Sequence, residues 1–392
     1  MNETAKAHGL DGTLVEPDWP PLTFDEVLPV LAKMPGADEP IEIASNSPRP
    51  FSAASVVKTR LGNIFIKRHA RAVRDAEGLM EEHRFMEHLR AHGIGIPRIF
   101  ATDCGETAIE TGDWTYEVHE IPSGLDVYED AISWTPFRSA DHARSAGQLL
   151  ARLHLSAASY NAPPRKQSPL VASFTVFASQ NPSQALEQYL DARPILSQDA
   201  QTRRDCTEAL DLLTPFHDEL KPLLPALRPL WTHNDLHASN LFWSDTSPHA
   251  HATSVIDFGL ADRTNAVYDL AQAIERNIVE WLVLMSQPEH VEAVPVHLDH
   301  LWAMLDGYER VRPLKHAEAA ALAPMLALAH AEFALTEADY FLAVLHSPGK
   351  ARVATSDYLV KHAQWFRGPG SRKLIDPLRH WAETRELQVV RA

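Results

Sequence analysis

Residues 230–243, LWTHNDLHASNLFW, hold a run of hydrogen-bonding side chains between two short apolar stretches. A second such run, SVIDFG, ends near Asp257, seventeen residues after Asn240. Short runs rich in Trp, Leu, Val and Ile read as strands, and SDTSPHAHAT between them reads as the turn. A two-stranded ribbon of this kind brings its ends to one edge, so Asn240 and Asp257 are expected side by side there. The surrounding sequence is helical in pattern, and few architectures set a polar ribbon inside a helical region.

The rest of the chain narrows the choice. Residues 41–121 are mainly strand in texture, with EIAS, ASVVKT and NIFIKRH as short β-branched runs, and ATDCGETAIETGDWTYEVHEI as a hairpin followed by a strand. One helix interrupts them, with Leu79, Phe85, Met86 and Leu89 at helical spacing and Gly93 at its end. After residues 122–124, PSG, the pattern turns helical at 139–158, across QDAQTRRDCTEALDLLTPFHDELKPLL, and again from Tyr268 onward. Residues 1–40 read as an N-terminal extension with one short helix, capped by Thr23 and Glu26. The expected fold is α+β and bilobal, as in protein kinases. A small antiparallel-sheet lobe with one helix (41–121) precedes a larger helical lobe (122–392) that carries the polar loop (231–262) and an insertion (160–230).

Composition excludes other classes. A chain of 392 residues with 45% hydrophobic and 22% charged residues can bury a core and divide into two lobes. Its 36 basic and 52 acidic residues leave a net charge of -16, against a nucleic-acid partner, which needs a basic face. Cys104 and Cys206 are the only cysteines, so neither a disulfide framework nor a cysteine zinc site is expected. The start lacks an apolar signal core, and the longest apolar window, 319–335, is interrupted by Pro324, His330 and Glu332. It reads as a buried helix, and a cytoplasmic protein without a membrane segment is expected.

Two chemistries fit the polar loop. His233, Asp235 and His237 have the spacing H-x-D-x-H of a metal-dependent hydrolase, although that reading leaves Asn240 and Asp257 without a purpose. Alternatively, Asp235 serves as a base, while Asn240 and Asp257 offer the oxygen ligands that suit magnesium. The second chemistry needs a cation for the nucleotide phosphates. Lys67, on the strand GNIFIKRH, can supply it, with a carboxylate of the following helix to hold it. Glu82 is favoured over Glu77, Glu81 and Glu87 because it shares a face with Phe85, Met86 and Leu89.

The ordered set Lys67, Glu82, HNDLHASN, IDFG and YDLA resembles the aminoglycoside phosphotransferase and choline kinase-like family of small-molecule kinases, over roughly residues 41–345. The resemblance implies ATP or GTP with Mg2+ as cofactors and a small-molecule hydroxyl as acceptor. It implies Asp235 as catalytic base, Asn240 and Asp257 as metal ligands, and Lys67 with Glu82 as the phosphate-positioning pair. Asp269 of YDLA would support the catalytic loop through backbone hydrogen bonds, and His233 would brace it. Two departures stand out. The nucleotide-covering turn NSPRPFSAAS (46–55) has no glycine, which leaves Ser47, Ser52 and Arg49 to assist the backbone amides. Asn234 precedes the base where relatives often carry glycine.

A protein kinase is the nearer rival, since IDFG contains a literal D-F-G. Only twelve residues separate Asp257 from Asp269, too few for an activation loop, and His237 stands where Ser/Thr kinases carry lysine. A nucleotide-binding pseudokinase is the third reading, favoured only by the glycine-free turn. Residues past the ribbon, Glu275, Arg276, Asn277, Glu280 and Trp281, and further on Glu332, Glu337, Asp339 and Tyr340, are the expected surroundings of an amine-bearing acceptor, with Trp281 or Tyr340 as an aromatic wall. The sequence leaves the oligomeric state open.

Overall fold

The computed structural model describes residues 7–8, 14–37, 39–47, 51–286 and 294–389. Strands β1 (Ala7–His8) and β2 (Leu14–Val15) pair with each other, and helix α1 (Phe24–Leu31) follows. The first lobe is an antiparallel sheet in the order β3-β4-β5-β7-β6. Its strands are β3 (Pro40–Asn46), β4 (Ala53–Thr59), β5 (Gly62–Ala70), β6 (Ile109–Thr111) and β7 (Trp114–Glu120). Helix α2 (Ala76–Ala91) lies between β5 and β6, started by Asp75, which accepts a hydrogen bond from Gly78 N–H at 2.8 Å.

Alternation along the strands decides the two faces of this sheet. Ile64 and Ile66 of β5 and Tyr116 and Val118 of β7 face one side, where they cluster with Leu22, Val27, Val30, Leu31 and Met34. The stretch expected as an extension therefore belongs to the lobe's own core. Two-residue alternation predicts an apolar face on β5 and β7 but not what covers it, and α1 does. Lys67, His69, Glu117 and His119 fall on the opposite face, toward the second lobe. There Lys67 pairs in register with Glu117.

The second lobe is helical: α3 (Ala140–Ala157), α4 (Pro182–Asp191), α5 (Pro194–Gln198), α6 (Ala200–Leu220), α7 (Ala266–Ile278), α8 (Trp281–Ser286), α9 (Leu298–Val311) and α10 (His316–Asp339). Within it, β9 (Leu241–Trp243) and β10 (Ala252–Val255) form the antiparallel ribbon. A second pair, β8 (Pro229–Thr232) with β11 (Asp262–Asn265), frames the loop between them. Strand β11, DRTN, has no apolar pattern, and its pairing with β8 makes it a strand. With α10 continuing past Asp339, the stretch His316–Val344 is long and apolar enough to cross a membrane, but 94% of its apolar window is buried inside the protein.

Helices α3 and α9 touch through glycine. A Cβ on Gly147 would stand 2.1 Å from the Met304 carbonyl oxygen, and one on Gly307 would stand 2.1 Å from that of Arg144. Neither backbone can yield without parting the helices, so Gly147→Ala is expected to cost about 3 kcal/mol, the upper range for overpacking. Denaturant unfolding checks this, with Gly349→Ala as the comparison, because nothing lies within 4 Å of a Cβ there.

Candidate active site

The loop between β8 and β9 is held from beneath by Asp269 on α7. Its Oδ2 accepts from His233 N–H at 2.9 Å and its Oδ1 from Asn234 N–H at 2.8 Å. His154 Nε2 meets Oδ2 at 3.0 Å, so this fully buried carboxylate has three partners. Burial pushes its carboxyl up, but His154 and these bonds hold it below the usual range. Asn234 occupies the left-handed region at φ 62°, which asparagine tolerates better than most residues and glycine tolerates freely. Its side chain donates to the carbonyls of Ala172 at 3.0 Å and Leu260 at 3.1 Å. A glycine at this position could not make those bonds.

Asp235 follows at the loop's turn, its side chain 15% exposed. Asn240 Nδ2 donates to the Asp235 carbonyl at 2.9 Å and to its Oδ2 at 3.3 Å. That orients the amide so that Oδ1 is the atom left for a ligand. Ile256 N–H donates to the Asn240 carbonyl at 3.0 Å, which brings Asp257 to the same edge of the ribbon. Asp257, at φ 62°, meets Lys67 Nζ at 3.3 Å across the lobes. Burial would raise the Asp257 carboxyl, but the Lys67 ammonium overrides it and brings it to about 2. The pair thus stays ionised across the physiological range. A carboxylate and an amide oxygen side by side are hard donors that fit magnesium. The structure therefore gathers Lys67, Asp235, Asn240 and Asp257 in one cleft.

His233 takes no part as a metal ligand. Its Nδ1 accepts from Asp235 N–H at 3.1 Å, its Nε2 meets the Ile256 carbonyl at 2.9 Å, and its ring stands on Phe258 at 4.6 Å. Both ring nitrogens are engaged, so the H-x-D-x-H reading lacks a lone pair where it needs one. Among the described residues no group of three or more His, Cys, Asp or Glu is placed to hold a metal.

The pairing of Lys67 with Glu82 is not formed. Glu82 Oε2 lies 3.7 Å from Arg74 Nε and 3.5 Å from Arg165 Nη1, while Lys67 turns to Asp257. Two buried guanidiniums outcompete one ammonium for the carboxylate. Arg74 and Arg165 in turn donate to carbonyls of the segment after Asp257, including Gly259 at 2.5 and 3.2 Å. The carboxylate opposite Lys67 on the sheet is Glu117, 2% exposed and ringed by His69, His83 and His119 at 2.8, 2.8 and 2.9 Å. Its signal was the alternation of WTYEVHE, which puts Thr115, Glu117 and His119 on one face.

The turn expected to cover the nucleotide is tied at its two described ends. Ser47 N–H donates to the Ala54 carbonyl at 2.8 Å, Ser52 is buried, and Phe51 stands on Tyr340 at 5.4 Å. Arg49 lies outside the described residues.

The expected acceptor wall is largely internal. Asn277 braces the loop, with Oδ1 accepting from Ala238 N–H at 2.9 Å and Nδ2 donating to the Leu236 carbonyl at 2.9 Å. Trp281 is buried against His362, ring centres 3.8 Å apart, and Glu280 pairs with His297 at 2.8 Å. Glu275 is 1% exposed, and burial pushes its carboxyl up to about 8. Every residue of α7 is buried, so no face of that helix is open to solvent. Arg276 of the same stretch is also 1% exposed, and its Nη1 forms an ion pair with Asp235 Oδ1, a pairing that spacing alone did not indicate.

The Glu275 shift has a testable sign. A carboxyl whose folded value lies above its unfolded one stabilises the fold below the unfolded value. That contribution is lost as pH rises through the folded value. Glu275→Gln is therefore expected to melt above the wild type at pH 8 and to match it near pH 4.5. Thermal melts at the two pH values check this.

A family model described as the phosphotransferase enzyme family matches residues 51–314. Two curated relatives are homoserine kinases. That of Rhodospirillum rubrum is 29% identical over 251 residues, and that of Cupriavidus metallidurans is 27% identical over 243. Each alignment covers 62% of this chain and 63% of the relative, so the chain spans less than two thirds of their length. Among solved structures, a microcompartment-associated aminopropanol kinase superposes with a TM-score of 0.56 at 16% identity, covering 91% of this chain and 99% of that one. An amicoumacin kinase in complex with AMP-PNP and Ca2+ gives 0.55 at 14%, covering 88% and 94%. At these identities the likeness is one of fold.

Proposed function

The chain belongs to the phosphotransferase enzyme family, and we propose that it is a kinase moving the γ-phosphate of ATP to a hydroxyl of a small, amine-bearing acceptor. The observation that carries this is the convergence of Asp235, Asn240, Lys67 and Asp257 in the cleft between the lobes. Asp235 orients the acceptor hydroxyl and takes its proton as the phosphoryl group leaves the nucleotide. Lys67 neutralises phosphate oxygens, and its contact with Asp257 holds it toward the cleft until nucleotide arrives. Asn240 and Asp257 would hold magnesium, which when bound neutralises charge on the β- and γ-phosphates. Asp269 and Asn277 keep the loop in register, and His233 fixes its start.

The homoserine kinases named above support an amine-bearing acceptor. A screen of ADP release over aminoglycosides, choline, ethanolamine, 3-amino-1-propanol, L-homoserine and free sugars tests the reading. Turnover with amine-bearing acceptors is expected. Turnover with neutral sugars alone would remove the amine, and ATP binding with no turnover on any acceptor would favour a nucleotide-binding protein instead.

A further inference from the structure

The catalytic assembly leaves one buried pair of charges unused. Arg276 gives Nη1 to Asp235, but its Nε and Nη2 have no hydrogen-bond partner among the described residues. Its guanidinium lies over the rings of Phe333 at 4.4 Å and Trp134 at 5.7 Å, so it is enclosed by apolar surface. Glu337 on α10 is fully buried, and neither of its oxygens has a hydrogen bond among the described residues. No cation comes within ion-pair distance of it among them either. Burial without a partner holds its carboxyl well above the ordinary range, and the guanidinium of Arg276 only partly opposes this.

Helices α7 and α10 pack against each other, so these two opposite charges are near neighbours held apart. Had their role been structural, closing the gap would have formed a salt bridge and satisfied both. Native interiors rarely leave such groups unpartnered. Tyr358 enters the same interior from a π-helical segment, Val353–Val360, and such segments recur at functional sites. What satisfies both charges at once is a ligand with an anionic group for the guanidinium and a cationic one for the carboxylate.

We propose that Arg276 and Glu337 form the acceptor subsite for a hydroxylated α-amino acid, its carboxylate on Arg276 Nε and Nη2, its ammonium on Glu337 and its hydroxyl on Asp235. The shape of the guanidinium supports this arrangement. One edge is spent on the base, and the other presents two donors as the fork that receives a carboxylate. A single planar group thereby sets the carboxylate and the reacting hydroxyl apart by what a short hydroxyalkyl chain spans. The inference rests on the kinase reading above and names its substrate class.

The test compares three probes on the full-length protein with ATP and Mg2+. L-homoserine carries all three groups, 3-amino-1-propanol lacks the carboxylate, and 4-hydroxybutyrate lacks the ammonium. The expected result is a kcat/KM for L-homoserine at least about a hundredfold above either truncated probe, since a missing partner leaves a buried charge unpaired. Glu337→Gln is expected to shrink the preference for L-homoserine over 4-hydroxybutyrate about tenfold or more, with the KM for ATP within about twofold. Equal or better turnover of the amino alcohol, or an unchanged preference in Glu337→Gln, overturns the subsite. If Glu337→Gln does not fold, the wild-type ratios decide alone. Turnover of choline or an aminoglycoside with none of L-homoserine overturns the subsite and leaves the kinase reading standing. No turnover of any acceptor overturns both.

Discussion

Asp235→Ala is expected to lower kcat by about three to four orders of magnitude while ATP affinity stays within about twofold of the wild type. Among the described residues Asp235 pairs with Arg276, lies 3.8 Å from His237 Nε2 and sits beside Asn240, and it forms no ion pair with Lys67, the cation proposed for the phosphates. Its loss therefore falls on the chemical step. The alanine variant also strands Arg276 as an unpaired buried cation, a change that costs about 3–5 kcal/mol of stability. Asp235→Asn keeps the volume and separates the two effects. Single-turnover kinetics and nucleotide titration on both variants check the prediction. Near-wild-type turnover in either would show that the base lies elsewhere.

Asp257→Ala is expected to weaken binding of the magnesium–nucleotide complex by about a hundredfold or more and to leave turnover undetectable, because one residue serves two contacts. It is the carboxylate on the ribbon's open edge beside Asn240, and it is the partner of Lys67. Calorimetric titration with and without Mg2+ separates the roles. The loss should be large with the metal and small without it, since bare nucleotide still meets Lys67. Equal losses in both would assign Asp257 to holding Lys67 alone, and unchanged affinity would remove it from the site. With its carboxyl held near 2 by Lys67, nucleotide binding should show no acidic limb from this residue above about pH 4.

Much of this arrangement was legible in order and spacing. Asn240 and Asp257 were predictable neighbours because both lie at the ends of one short ribbon, and antiparallel pairing is a local consequence of a turn. Helix α2 followed from its apolar spacing, α3 and α6 were legible as helical stretches, and the burial of 319–335 followed from its composition. Strand β11 was not legible, because DRTN owes its conformation to β8 across from it. The cover supplied by α1 was not legible either, because an apolar sheet face does not name its partner.

The sequence by itself determined the bilobal fold, the polar ribbon and the order Lys67, Asp235, Asn240, Asp257. Each is carried by strands, turns and caps formed among residues close in the chain, which answer to local forces. Only the tertiary structure decided which charge meets which: Lys67 with Asp257, Glu82 with Arg74 and Arg165, Asp235 with Arg276. Ion pairing in a low-dielectric interior is a competition among every cation and carboxylate that folding brings together. Its outcome depends on distances that no local pattern encodes.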